Sequence, residues 1–85
     1  MKKLVIEESG DGLIGLLGER VTLFCLNYIY TGKLVGVNDS CVRLDDAAIV
    51  YETGAFDNNA WKDAQKLPKP VYVMLSAVES FTVIR

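Results

Sequence analysis

VTLFCLNYIYTGKLVGVNDSCVRLDDAAIVY, residues Val21 to Tyr51, is the stretch whose reading decides the fold. It divides into the apolar segments Val21–Leu26, Ile29–Val37 and Cys41–Tyr51, separated by the short turns Asn27-Tyr28 and Asn38-Asp39-Ser40. β-Branched and aromatic residues fill the segments, and turn-forming residues fall between them, as an antiparallel meander requires. A helical stripe at i, i+3, i+4 fits the same residues less well. In the first segment Val21, Leu23 and Cys25 point one way and Thr22, Phe24 and Leu26 the other. Both faces are mostly apolar, which predicts that both are covered. Gly32 and Gly36 interrupt the second segment. Glycine inside a strand marks a bend, a bulge or a close backbone approach, and a bent strand lets a small sheet curl towards a barrel.

Working outward, Ser9 to Gly12 reads as a turn, with Ser9 or Asp11 available as a cap. Leu13, Leu16 and Leu17 then share one helical face and Gly18 stands at its end, predicting a short N-terminal helix of about two turns within residues 10–18. Gly15 weakens that helix by roughly 1 kcal/mol relative to alanine. Before it, Lys3 to Ile6 reads as a short edge strand or an ordered tail. Downstream, residues 53–70 (TGAFDNNAWKDAQKLPKP) form a long polar insertion marked as loop by Gly54, Asn58-Asn59, Pro68 and Pro70. Ala60 to Leu67 has room for one or two helical turns anchored by Trp61 and Leu67. Insertions this long in small domains are often functional, though the plainer reading is that it lengthens a hairpin. Val71 to Leu75 is a fourth strand, Ser76-Ala77 breaks the run, and Glu79 to Ile84 is a fifth.

Eighty-five residues predict one domain, 1–85. A chain this small buries only about 60–65% of its unfolded surface. With 51% of its residues apolar and positive mean hydropathy, it carries more apolar side chain than one small core hides. The expected partner for the surplus is another copy of the same chain. Net charge is −2, a weak electrostatic footprint for non-specific nucleic-acid binding. The chain has no histidine, and Cys25 and Cys41 match no metal pattern. No metal, no cofactor and no enzymatic activity are therefore expected. Asp45 and Asp46, adjacent in a strand, point to opposite faces and do not make an acid–base pair. Both cysteines sit in apolar runs as buried reduced thiols, which suits an intracellular, cytoplasmic protein. Leu4-Val5-Ile6 is too short for a signal-peptide core, and no stretch is long enough to span a membrane.

The order of elements resembles the Sm/Lsm family and its bacterial relatives, the Hfq proteins. Leu13-Leu16-Leu17-Gly18 followed by Val21-Thr22-Leu23 looks like that family's helix-to-first-strand junction. Gly32-Lys33-Leu34 with Val37 looks like the glycine–x–leucine core of its first motif, and Asn38 stands where aspartate is usual. Cys41-Val42 falls near its Met-Asn, Leu44 at the following apolar position, and Val73 to Ser80 covers its second motif. The chain departs from the pattern in a shorter first hairpin, in Val42 at the base-contacting asparagine, and in Ser76-Ala77 at the Arg-Gly turn. The Tyr-Lys-His run of the Hfq proteins is absent. The resemblance implies a mostly β fold, with a short N-terminal helix followed by a strongly bent five-stranded antiparallel barrel. SH3-like and OB-fold barrels share much of the pattern.

The resemblance further implies a homo-oligomeric ring, joined strand to strand, that binds single-stranded RNA, or DNA, through its central face. The residues placed there are Asn38, Asp39, Ser40 and Ser76, with Lys33 and Arg43 as phosphate contacts. Asn38 and Ser40 offer donors and acceptors for base edges, without an aromatic platform or a cation beside them in sequence. As turn chemistry alone, Asn38-Asp39-Ser40 needs no ligand. Trp61, Lys62, Lys66 and Lys69, close to Phe56, form a candidate second surface, with a solvated loop over a packed Trp61 as the plainer reading. The contrasting function is an adaptor ring that binds other proteins, favoured by the acidic balance, the missing arginine and the long insertion.

Overall fold

The computed structural model describes residues 12–84. Among these residues there are six antiparallel strands: β1 Arg20–Cys25, β2 Ile29–Val37, β3 Cys41–Glu52, β4 Asp63–Lys66, β5 Val71–Met74 and β6 Val78–Thr82. The meander read from Val21 to Tyr51 is β1, β2 and β3, paired in that order. β6 adds to the free side of β1. β3 is long enough to serve two partners on its other side. Its first part, Cys41 to Leu44, pairs with β5, and its second, Ala48 to Glu52, pairs with β4. The core is Val21, Leu23, Leu34, Val42, Leu44, Ala47 and Val73. Thr22 and Thr31 are buried as well, so β1 is covered on both faces at its centre.

The change of partner along β3 happens at Asp45-Asp46. Asp46 has φ +48 and is the one non-glycine residue with positive φ among those described. Asp tolerates that region because its short polar side chain bonds locally. Arg20 holds it there, donating from Nη1 to Asp46 Oδ2 and from Nη2 to the Asp46 carbonyl oxygen, each at 3.1 Å. Opposite the bend, β2 presents Gly32. A Cβ at Gly32 would lie 3.0 Å from the Asp45 carbonyl oxygen and 3.1 Å from both Ala47 Cα and Leu44 Cβ. Of the readings open for Gly32, close backbone approach is the one realised, and the register between β2 and β3 shifts beside it.

Three expectations need correction. The two-turn helix within residues 10–18 is a single 3-10 turn, Ile14–Leu16. Gly12 at φ +66 and Gly18 at φ +90 bound the segment in left-handed backbone and leave no room for a second turn. Residues 10 and 11 of that expected helix, and the strand or tail expected at Lys3 to Ile6, lie outside the described residues. The strands among the described residues number six, because residues 63–66 are neither loop nor helix but a strand, folded back on β3. Pairing with Ala48–Glu52 overrides the weak strand propensity of Asp-Ala-Gln-Lys. The sheet is open rather than a closed barrel: β5 and β6 follow one another in sequence but sit on β3 and on β1, without pairing to each other. A second 3-10 turn, Leu75–Ala77, carries the chain from one to the other. No helix among the described residues is long and apolar enough to cross a membrane.

Candidate functional site

The β2–β3 turn is built around Asn38. Its Oδ1 accepts hydrogen bonds from the backbone N–H groups of Ser40 (2.8 Å) and Cys41 (2.9 Å), and the Asn38 N–H donates to the Cys41 carbonyl at 3.0 Å. This is side-chain turn chemistry. It commits the amide oxygen, so Asn38 faces outward with its Nδ2 N–H donors alone. The Leu75 N–H donates to the Ser40 carbonyl at 2.8 Å, and the Leu26 N–H to the Ala77 carbonyl at 3.0 Å. These two bonds pin the Leu75–Ala77 turn against the β2–β3 turn at one end and against the end of β1 at the other. The fold therefore brings Asn38, Asp39, Ser40 and Ser76 to one place, all exposed. Between the turns lies a cavity of about 420 Å³, walled by Leu13, Ile14, Val37, Leu75 and Phe81 with Asn38 and Asp39 at its rim.

Lys33 is not part of that place. It lies on β2 in the row Arg20–Lys33–Asp45, roughly 16 Å along the strand from Asn38 at about 3.3 Å per residue. Arg43 sits near the turn on β3, where it is directly opposite Tyr72 of β5. Its Nε donates to Asp45 Oδ1 at 3.2 Å, and its guanidinium carbon is 6.0 Å from the Tyr72 ring centroid, within cation–π range. A cation and an aromatic ring thus stand beside the turn after all. Tyr72 went unnamed in the sequence reading although VYVM carries its signal: alternation puts Val73 in the core and Tyr72 outside. Only the β3–β5 register reveals that its neighbour is Arg43. Val35, Gly36, Val37, Asn38, Cys41, Arg43 and Tyr72 line a second concavity of about 320 Å³ there.

The second candidate surface is divided. Lys62 Nζ lies 3.4 Å from Glu52, and Lys66 Nζ lies 3.9 Å from Asp46. Trp61 is half-buried and Lys69 exposed in the turn before β5. Phe56, itself in the insertion, packs edge-on against Phe24, with ring centroids 6.2 Å apart, and so ties the insertion to β1. Burial pushes the Cys25 thiol above its ordinary value, the opposite of what activates a thiol nucleophile. No group of three or more potential metal-ligating side chains occurs among the described residues. No family model matches the sequence, and no curated protein matches it.

Proposed function

We propose that this chain is an Sm-like subunit that assembles with copies of itself and binds single-stranded RNA, or DNA, on the face where the Asn38–Ser40 and Leu75–Ala77 turns meet. One observation carries the reading, the contrast between the sheet's margins. β4 presents Asp63 and Lys66 on a fully exposed strand, and charges on an edge discourage another strand from pairing with it. β5 has no charged residue, and Met74 is exposed on it. β6 carries Phe81 exposed beside a single charge, Glu79. Among the described residues β5 pairs only with β3 and β6 only with β1. Each has an outer edge left over. Addition of β5 of one copy to β6 of the next satisfies both edges and covers the apolar surplus. The strand order, with the strand after the insertion on β3 and the last strand on β1, also supports the Sm-like reading. Light scattering at micromolar concentration tests assembly, and a monodisperse 9.4 kDa species refutes it. Fluorescence anisotropy with oligo-U, oligo-A and single-stranded DNA at low and high salt tests binding. No change at about 100 µM protein in low salt, the weak end of non-specific affinity, removes the nucleic-acid reading.

The adaptor reading keeps support from one feature. Arg20, Arg43, Lys62 and Lys66 each lie within 4 Å of a carboxylate, so much of the basic charge is balanced by the chain's own acids. A pull-down whose partners survive nuclease treatment favours it over nucleic-acid binding.

A further inference from the structure

We infer that the concavity floored by Gly36 is a site for one aromatic base carrying a phosphate, the base stacking on Tyr72 and the phosphate bonding to Arg43, a proposal that rests on the nucleic-acid reading for its natural ligand. The site has the parts such a ligand needs. Its volume of about 320 Å³ is in the range of small-molecule sites, about 300–1,000 Å³. Val35 and Val37 make its apolar wall. Tyr72 is 62% exposed, while its neighbour Val73 is 4% exposed. The ring thus carries the Arg43 guanidinium over one face and is otherwise largely open to solvent, as a stacking platform is.

Arg43 is oriented for an anion. Asp45 takes its Nε–H and fixes the plane of the guanidinium. Among the described residues its terminal amino groups have no hydrogen-bond partner. That edge presents parallel N–H donors matched to two oxygens of a phosphate. Asp45 also balances the guanidinium charge, so the empty site is close to neutral and gains a net anion only with the ligand. At the other end Asn38 lines the concavity with Nδ2 donors, its oxygen being committed to the turn. Asn38 can therefore offer a base only a donor. Gly36 keeps the floor open, and a Cβ there would lie 3.6 Å from Arg43 Cβ, an ordinary contact. A methyl group can enter the floor without moving the backbone.

The experiment uses the full chain, fluorescein-labelled oligo-U and oligo-A in anisotropy, and free UMP and AMP followed by amide and arginine side-chain NMR shifts. Tyr72→Ser is expected to weaken oligonucleotide binding about tenfold, the loss of one stacked base, while Tyr72→Phe stays within about twofold. Arg43→Gln is expected to weaken it several-fold and to reduce the log–log salt slope by about one. Gly36→Ala is expected to weaken binding with an unchanged or higher melting temperature. Light scattering on each variant separates lost binding from lost assembly. If the wild type binds and all of these variants bind within twofold of it, the site is overturned and the nucleic-acid reading stands. If oligonucleotides do not bind but UMP or AMP shifts the Arg43 and Tyr72 signals, the nucleic-acid reading falls and the site stands as one for free nucleotides. If neither binds, both fall.

Discussion

The bend at Asp45-Asp46 makes two glycines of one strand respond oppositely to the same substitution. In Gly32→Ala the new methyl meets the Asp45 carbonyl oxygen at 3.0 Å and Ala47 Cα at 3.1 Å. Both are backbone atoms of a strand that is fixed by β2 on one side and by β4 and β5 on the other, so neither swings away like a side chain. Overpacking a fitted interior costs about 1–3 kcal/mol. Alanine recovers about 0.4–1 kcal/mol by restricting the unfolded chain, which leaves a net loss of about 1–2 kcal/mol. In Gly36→Ala the nearest contact is 3.6 Å, so only the unfolded-state term acts and the variant is neutral or up to about 1 kcal/mol more stable. Urea unfolding followed by circular dichroism at fixed protein concentration measures both. With m near 1 kcal/mol/M for a small domain, Gly32→Ala moves its midpoint down by about 1–2 M. Equal or greater stability of Gly32→Ala relative to Gly36→Ala refutes the close-approach account of the bend.

Other predictions follow from neighbouring features. Among the described residues Thr22 Oγ1 is buried with no hydrogen-bond partner; Thr22→Val removes that uncompensated hydroxyl and raises stability by about 1–2 kcal/mol, read as a higher urea midpoint. Asp46→Gly relieves the positive φ but loses the exposed ion pairs, so it stays within about 0.5 kcal/mol of wild type, whereas β-branched Asp46→Val costs about 1–3 kcal/mol. Met74→Lys charges the β5 margin and is expected to shift light scattering towards the 9.4 kDa subunit, while the same charge at Gln65 on β4 changes nothing. Burial raises Cys25 above its ordinary 9.0. Burial, then the charges of Cys25 and Tyr28, raise Tyr30 above its ordinary 10.0. The folded chain holds these protons after the unfolded chain has begun to release them. Stability is therefore undiminished by these groups below pH 9 and falls as the pH rises above it. Urea midpoints between neutral and strongly alkaline pH check this, and Cys25→Ala flattens the first part of the fall.

The meander was legible because alternation along Val21–Tyr51 forces one register: a slip of one residue would take Leu23, Leu34 and Leu44 out of the core. The place of the bend was half legible. Gly32 announced something close to it, but the positive φ of Asp46 depends on Arg20, distant in sequence. β4 was illegible for a physical reason. Its four residues are all exposed, so no buried side chain leaves an alternation to read, and the strand exists through backbone bonds to β3. The candidate site divides in the same way. Asn38 and Ser40 announce a turn in any context, while Arg43 and Tyr72 become neighbours only through the pairing of β3 with β5.

β3 works as a rail shared by two independent passengers. Because β4 and β5 hold separate lengths of it, with Asp45-Asp46 between them, β4 can fray without disturbing the rows at Cys41–Leu44. Amide exchange should report this as fast protons at Asp63–Lys66 beside slow ones at Val42 and Leu44. β4 is accordingly the natural point for grafting a tag or a foreign loop onto this scaffold.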